Sequence, residues 1–471
     1  MIRRQRFDDP ISDFRETQTA FGVRSILRNG MSIFHADIPV FGPPWKVPFE
    51  FPLFQYFSAL VARFLGYGEV EASLLTATIL FLASGVAFFV LVKIISGRAT
   101  ARIGLVIFLF SAYGLHFGTR VLIEFTAVLF GLIAMISILK FFKSSRFLFL
   151  FLFFISSSLV FLVKITTAVP WILVGTSLAI LTSKKPLKII SLCFAISFVS
   201  TCIGLLWTQY ADSVKNQNPH TKWLTSKNLR DFNFGTIQQR IDPEFWRIQF
   251  SDIFETSIGS IALGFVFISI AIVKAESRVF VLIFLAIFLS GPIAFSNLYM
   301  HEYYLNAVFP ALIYVFALAI NVIWSRIKFV RSPIIKLCLS CLTTFGLTFL
   351  STVTFPGRDL MKNFDSTEFV SEYPILNEVR ERTNPDDNVI LIGRDWSPSY
   401  LFLIDRRGLM LLPDGVRPDK SELGTVYKFV YWVDIETTPT VDEWRSYFPT
   451  GINFERIRDN FFRIRPVGVA G

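Results

Sequence analysis

Four groups of polar residues interrupt a chain otherwise rich in apolar runs. The first lies in SDFRETQTAFGVR, where Asp13, Arg15, Glu16 and Gln18 crowd just ahead of a helix-like stretch, with Glu50 further along beside FPLFQYFSALVARFLG. The second is Arg120 with Glu124 in RVLIEFTAV, and the third is Lys164, which interrupts FLVKITTAVP. HEYYLNAVFP supplies the fourth, His301, Glu302, Tyr303 and Tyr304. A carboxylate that can take a proton, set beside several cations at a membrane surface, suits transfer of a group from a lipid phosphate. The cations stabilise the departing phosphate while the carboxylate activates an acceptor hydroxyl, so one cavity would serve both ends of the reaction.

Each group also has a plainer reading. A loop carboxylate beside arginines is usually a solvated salt bridge. Arg120 and Glu124 could form an i,i+4 ion pair, Lys164 could snorkel to the interface, and the two tyrosines could belong to an aromatic belt. Ionisable groups at membrane depth nevertheless cost ~2.5–3.5 kcal/mol each on insertion scales and so default to functional candidates. The plain readings do not explain why all four groups should fall on one face.

The elements that must carry these residues are membrane helices. Of 471 residues, 53% are hydrophobic and 53 are phenylalanine, and the mean hydropathy is +0.53, too apolar for a water-soluble fold of this size. Apolar stretches near the ~20 residues needed to cross a bilayer recur without the alternation of a barrel. We place helices at 70–95, 103–119, 121–140, 146–163, 165–182, 187–207, 257–274, 279–297, 303–324 and 334–355, about ten in all. Alternate connections are basic: Lys93, Arg98 and Arg102; Lys140, Lys143 and Arg146; Lys184, Lys185 and Lys188; Lys274 and Arg278; Arg326, Lys328, Arg331 and Lys336, against one acid, Glu276. Positive-inside bias puts these in the cytoplasm and every group of interest on the opposite face. Phe51 to Gly66 is apolar but short and reads as an interfacial helix. The first 50 residues are thereby expected outside with no preceding helix to carry them there, which predicts a first transmembrane helix upstream of this sequence.

The fold class expected is mainly α: a polytopic transmembrane helical bundle with a small C-terminal soluble α/β domain. Its segments are 1–69, an outer-face first loop with the interfacial helix; 70–355, the membrane domain with outer loop 208–256; and 356–471, a soluble domain on the outer face. In that tail, 366–383 suits an amphipathic helix, 388–393 and 428–435 buried strands, and 441–448 a short helix.

Charge and cysteine usage exclude several classes. The net charge of +10 resolves into a tail from Pro356 with 15 Lys/Arg against 19 Asp/Glu and a strongly basic membrane part, which is a topology signal and not a nucleic-acid footprint. Cys193, Cys202, Cys338 and Cys341 lie in apolar runs and read as packing residues. The four histidines, His35, His116, His220 and His301, are too scattered for a zinc site, and no metal site is proposed.

The sequence resembles the GT-C glycosyltransferases, in particular relatives of protein O-mannosyltransferases and of the lipid A aminoarabinose transferase. The matching stretches are DFRETQTA at 13–20, FEFPLFQYFSALVARFLG at 49–66, RVLIEFTAVLFGL at 120–132, LVKITTA at 162–168 and HEYYLNAVFPAL at 301–312, in the family's order over about residues 10–325. The resemblance implies a polyprenyl-phosphate-sugar donor, a lipid, glycan or protein acceptor, an active site on the extracytoplasmic face of a bacterial inner membrane, and Asp13 as catalytic base. It makes Arg15, Arg120 and Lys164 candidates for the donor phosphate, and Gln18, Glu50, Glu124, His301, Tyr303 and Tyr304 lining residues of the substrate cavity. Glu16 stands where many relatives carry Gln, so Asp13 and Glu16 could exchange roles. Some relatives use a divalent ion, so a divalent metal stays open as cofactor.

Two other classes stay open. A lipid-linked glycan polymerase or ligase would share the face, and loop 208–256 carries Lys215, Lys222, Lys227, Arg230, Arg240 and Arg247, but six acids balance them, which makes a poor magnet for an anionic polymer. A transporter or flippase would more often show paired halves with charges near the midplane, and no duplication is visible. A catalytically dead scaffold is compatible with the same residues.

Overall fold

The computed structural model describes residues 14–275, 278–327, 332–354, 376–392, 396–411, 415–432, 447–458 and 461–465. The chain divides into two compact units. One holds residues 1–70, 210–228 and 363–471, and the other holds 71–209 and 229–362.

The second unit is helical and apolar. Among the described residues, four helices are long and apolar enough to cross a bilayer: α3 (Glu69–Phe110), α5 (Glu124–Ser144), α8 (Leu187–Lys215) and α14 (Phe309–Arg326). Shorter apolar helices stand between them: α6 (Phe147–Val163), α7 (Ile165–Leu181) and α13 (Arg278–Ala294). The protein is an integral, multi-pass membrane protein.

The divisions between helices differ from those expected, and each difference has a local cause. Helix α3 merges the expected helices at 70–95 and 103–119 into one run of 42 residues, broken at Gly97 with φ 83° and ψ 175°, a conformation open essentially to glycine alone. Unbroken, it would run about 60 Å, twice a bilayer core. The end of the second expected helix separates as α4 (Ala112–Gly118) because Ser111 takes extended backbone and caps Gly114. The expected span at 257–274 is preceded by α11 (Pro243–Ile258), which meets α12 (Ile261–Lys274) at 85°. The bend is written in two residues: Gly259 ends α11 at φ 80°, and Ser260 caps α12 through Leu263 N–H. At the start of α11, Asp242 caps Glu244 N–H and Pro243 sits in the first turn. Between 229 and 242 are the short helices α9 (Arg230–Phe234) and α10 (Ile237–Ile241). Arg240 fastens them by donating to the carbonyls of Phe234, Thr236 and Ile293 at 2.6, 2.8 and 2.7 Å. The remaining helix of this unit is α15 (Pro333–Thr354).

The other unit is mixed. It begins with α1 (Phe14–Arg28) and α2 (Leu53–Leu65), the latter covering the stretch read as interfacial and closed by Gly66 in the left-handed region. A helix whose described residues are 376–382 precedes a five-stranded sheet: β1 (Asn388–Ile392), β2 (Gly408–Leu411), β3 (Tyr427–Trp432), β4 (Asn453–Arg458) and β5 (Phe461–Arg465), in the order β2-β1-β3-β5-β4. Strand β1 pairs in parallel with both β2 and β3, and its nearly unbroken apolar run is what a strand covered on both faces requires. Helix α16 (Ser399–Ile404) lies on the crossover from β1 to β2. The free edge of β2 is taken by the first loop. Gly408 and Met410 donate to the carbonyls of Pro39 and Val40 at 3.0 and 2.8 Å, and Gly42 donates back to Gly408 at 2.9 Å. The charged, half-exposed β4 forms the opposite edge, the usual way of blunting an unpaired strand. Of the helix expected at 441–448, residues 441–446 lie outside the described residues, as does the first part of the one expected at 366–383.

Candidate active site

The functional candidates form two constellations, one within each unit. In the membrane unit the centre is Lys164. Its backbone is extended, φ −161° and ψ 106°, so it ends α6 and starts α7 in one step, and the following residues Val169–Thr176 are wound as a π-helix with Pro170 at its start. Such a widened turn often marks a functional stretch. Glu124 opens the first turn of α5. Because α5 and α6 are consecutive, a carboxylate at the positive N-terminus of one and an ammonium at the negative C-terminus of the other both have favourable dipole partners.

The two side chains meet. Lys164 Nζ donates to Glu124 Oε1, and both are almost fully buried, at 4% and 3% exposure. The rings of Tyr304 and Tyr303 lie 4.3 and 5.5 Å from the ammonium. This corrects two plain readings: Glu124 pairs with Lys164 instead of with Arg120 at i,i+4, and Lys164 is buried in an ion pair instead of snorkelling. The second carboxylate oxygen, Glu124 Oε2, is buried without a hydrogen-bond partner, as are the hydroxyls of Thr126, Thr166 and Thr167. A buried ion pair beside unsatisfied oxygens is costly unless something polar completes it.

Other residues of the unit arrange around the same segments. Arg120 Nη1 lies 3.3 Å from His116 Nε2. His301 has extended backbone ahead of the 3-10 turn Glu302–Ala307 and stacks on Tyr303, with ring centroids 5.9 Å apart. Tyr113 donates to the carbonyl of Glu302 at 2.9 Å, and Trp171 to that of Ala307 at 2.6 Å, so that turn is held from two sides. Gly131 lies close beneath Trp171, where a Cβ would stand 3.0 Å from the indole.

In the other unit, Asp13 lies outside the described residues. Arg15 donates to Gln18 Oε1 at 2.7 Å and to Glu50 Oε1 at 3.3 Å, which joins three of the residues singled out from sequence. Glu16 and Gln18 are buried, at 2% and 4% exposure. Sequence reading passed over Arg24, which donates to Glu69 at 2.7 Å, to Asp405 at 2.9 Å and to the carbonyl of Phe402 at 2.8 Å. Arg28 also reaches Asp405, at 2.8 Å. Burial alone would raise the Asp405 carboxyl, but the Arg28 hydrogen bond and the charges of Arg24 and Arg28 outweigh it and hold the group below its usual range. Trp396 and Ser399, against α1, were likewise unanticipated. Only the isolated tryptophan of GRDWSPSY could have flagged them.

Among the described residues, no group of three or more His, Cys, Asp or Glu side chains could hold a metal ion. No protein-family model matches the sequence, and no curated protein matches it. Solved structures do. ArnT from Cupriavidus metallidurans, bound to undecaprenyl phosphate, superposes with a TM-score of 0.64 at 12% identity, covering 96% of this chain and 94% of that one. The archaeal oligosaccharyltransferase AglB from Archaeoglobus fulgidus, in complex with an inhibitory peptide and a dolichol-phosphate, gives 0.59 at 9% identity over 88% of this chain and 65% of its own. The Archaeoglobus fulgidus oligosaccharyltransferase in complex with Zn and sulfate gives 0.56 at 10% identity over 96% and 69%. Both proteins are of the GT-C superfamily, and this chain has the GT-C fold.

Proposed function

We propose that the protein is a membrane glycosyltransferase that moves a sugar from a polyprenyl-phosphate donor to an acceptor hydroxyl on the extracytoplasmic face. The observation that carries this is the pairing of a GT-C fold along nearly the whole chain with a buried Lys164–Glu124 ion pair at the break between α6 and α7. Fold alone does not assign chemistry; a buried cation beside unsatisfied oxygens supplies the local reason to expect an anionic ligand. ArnT and AglB carry polyprenyl or dolichyl phosphates in their structures, which supports a lipid phosphate as that ligand here.

In this reading, Lys164, Arg120 and Arg15 are the candidates that neutralise the phosphate as it leaves. Lys164 is the best placed of them for differential stabilisation, because a desolvated ammonium gains more from charge that develops in its vicinity than an exposed one does. Asp13 is the candidate base for the acceptor hydroxyl and Glu16 its alternate. Glu124 pairs with the lysine and orients it, while His301, Tyr303 and Tyr304 line the donor. A divalent ion, which the Zn in one oligosaccharyltransferase structure makes plausible, would need ligands from Asp13 or other carboxylates singly. The sugar class and the acceptor, whether lipid, glycan or protein, are left to experiment.

The test is binding. Undecaprenyl phosphate added to the purified protein should raise its thermal midpoint, and Lys164→Met should weaken that binding by about tenfold or more. Undiminished binding by the variant would remove Lys164 from the donor site, and no binding by either form would favour a transporter of different cargo or a scaffold.

A further inference from the structure

In a doubly wound sheet, the crevice beyond the carboxyl ends of strands that lead off in opposite directions is where ligands bind. Strand β1 sits at such a position, between β2 and β3. Beyond it, the chain supplies its own occupant. Trp396 and Ser399, which follow β1, receive the first turns of α1. Phe14 meets Trp396 edge to face with centroids 4.2 Å apart, and Thr17 Oγ1 lies 3.1 Å from Ser399 Oγ. Phe49 stacks on the same indole at 5.7 Å, and Phe41 and Trp223 close it in at 5.7 and 5.9 Å. Further along, Phe21 packs edge on to Phe402 at 5.3 Å, and Arg24 and Arg28 bind Asp405.

Phe14, Thr17, Phe21, Arg24 and Arg28 recur at intervals of three or four and so form one stripe of the helix. Arg15 and Glu16 lie off that stripe, about 100° and 200° around the helix from Phe14 at the helical pitch. A helix gripped along one stripe cannot turn about its axis, and a slip of one residue would swing Arg15 and Glu16 by about 100°. Trp396 is also separate from the sheet's own hydrophobic cluster, which is built on Ile390, Leu409, Tyr427 and Val430, so its loss need not unfold the sheet.

We propose that Trp396 is a positioning residue: with Ser399 it fixes the register and rotation of α1, and thereby the orientation of Arg15 and Glu16. The proposal rests on the glycosyltransferase reading for its catalytic consequence but not for its geometry.

The experiment uses both. In full-length protein with the four native cysteines replaced by alanine, Thr17→Cys with Ser399→Cys should form a disulfide under mild copper-phenanthroline oxidation, detected by mass spectrometry of proteolytic fragments, since the two side chains already touch. Adding Trp396→Ala should slow that crosslinking about tenfold, whereas Trp396→Phe should stay within about threefold, and sugar transfer by the same Trp396 variants with native cysteines should follow the same order. Crosslinking unaffected by Trp396→Ala would overturn the proposal, and so would slowed crosslinking with undiminished transfer. If the unmodified protein transfers no sugar, the glycosyltransferase reading and the catalytic consequence fall together, while the crosslinking rates still decide whether Trp396 docks α1.

Discussion

Lys164 and Glu124, forty residues apart, close an ion pair in which neither side chain is more than 4% exposed. Helix periodicity pointed Glu124 at Arg120, its neighbour at i−4; the long-range partner wins because the break after Val163 turns Lys164 out of the helical path. A pair this deeply buried is retained at a cost, since the cost of desolvating two charges can exceed their mutual attraction. That cost is the physical reason to assign the pair a task.

Lys164→Met leaves the Glu124 carboxylate buried with no counter-charge and should destabilise the protein by about 3–5 kcal/mol, whereas Lys164→Met with Glu124→Leu should recover most of that. Thermal unfolding in detergent, followed by size-exclusion recovery of the monodisperse peak, measures both. A double variant as unstable as the single one would mean that the ion pair is not what the membrane unit loses.

Asp405 gives a pH dependence with a definite sign. Its carboxyl is held below its ordinary value in the folded protein, so the folded state binds fewer protons there than the unfolded one. The stabilisation is complete at neutral pH and fades as the pH falls through and below about 3.9, the ordinary aspartate value. Asp405→Asn should therefore lower the thermal midpoint at pH 7 and narrow its deficit against wild type at strongly acid pH. A deficit that stayed constant with pH would assign the loss to hydrogen-bond geometry instead of charge.

Gly42 and Tyr427 make a paired prediction. Gly42 has φ +71°, and a Cβ on it would stand 2.2 Å from the Tyr427 hydroxyl. That hydroxyl is itself buried with no hydrogen-bond partner. Tyr427→Phe alone should be neutral or stabilising by up to about 1 kcal/mol. Gly42→Ala should destabilise by more than the roughly 1–2 kcal/mol of its left-handed backbone, and combining it with Tyr427→Phe should return the excess. Chemical denaturation of the three variants, followed by tryptophan fluorescence, would show the coupling; strictly additive changes would contradict it.

What the sequence made legible followed from strong local signals. Apolar runs separated by basic turns located the helices, and NVILIG located β1 as a buried strand. The strands β4 and β5 escaped notice because NFERIRDNFFRIR reads as charged, and its apolar positions gain meaning only once the two strands pair with each other and with β3. The seating of residues 39–42 on the edge of β2 joins stretches some 370 residues apart, and no periodicity carries that information. The bend at Gly259–Ser260 was in reach, since a C-cap glycine followed at once by an N-cap serine is a local stop and start. Within the candidate site, Arg15, Glu50, Glu124, Lys164, Tyr303 and Tyr304 were all singled out by type and position. Which of them pairs with which was not legible, because ionic pairing between distant stretches is set by packing.

Transfer itself is the most direct measurement. Membranes expressing the wild type or Asp13→Asn would be given radiolabelled polyprenyl-phosphate sugars, hexose and pentose in turn, and assayed for label passing to an acceptor. Transfer of one donor by the wild type, reduced about a hundredfold or more in Asp13→Asn at equal membrane insertion, is the predicted result. Undiminished transfer by Asp13→Asn would reject Asp13 as base, and with Glu16→Gln also fully active would reject the first loop. No turnover of any donor by well-inserted wild-type protein would contradict the glycosyltransferase assignment.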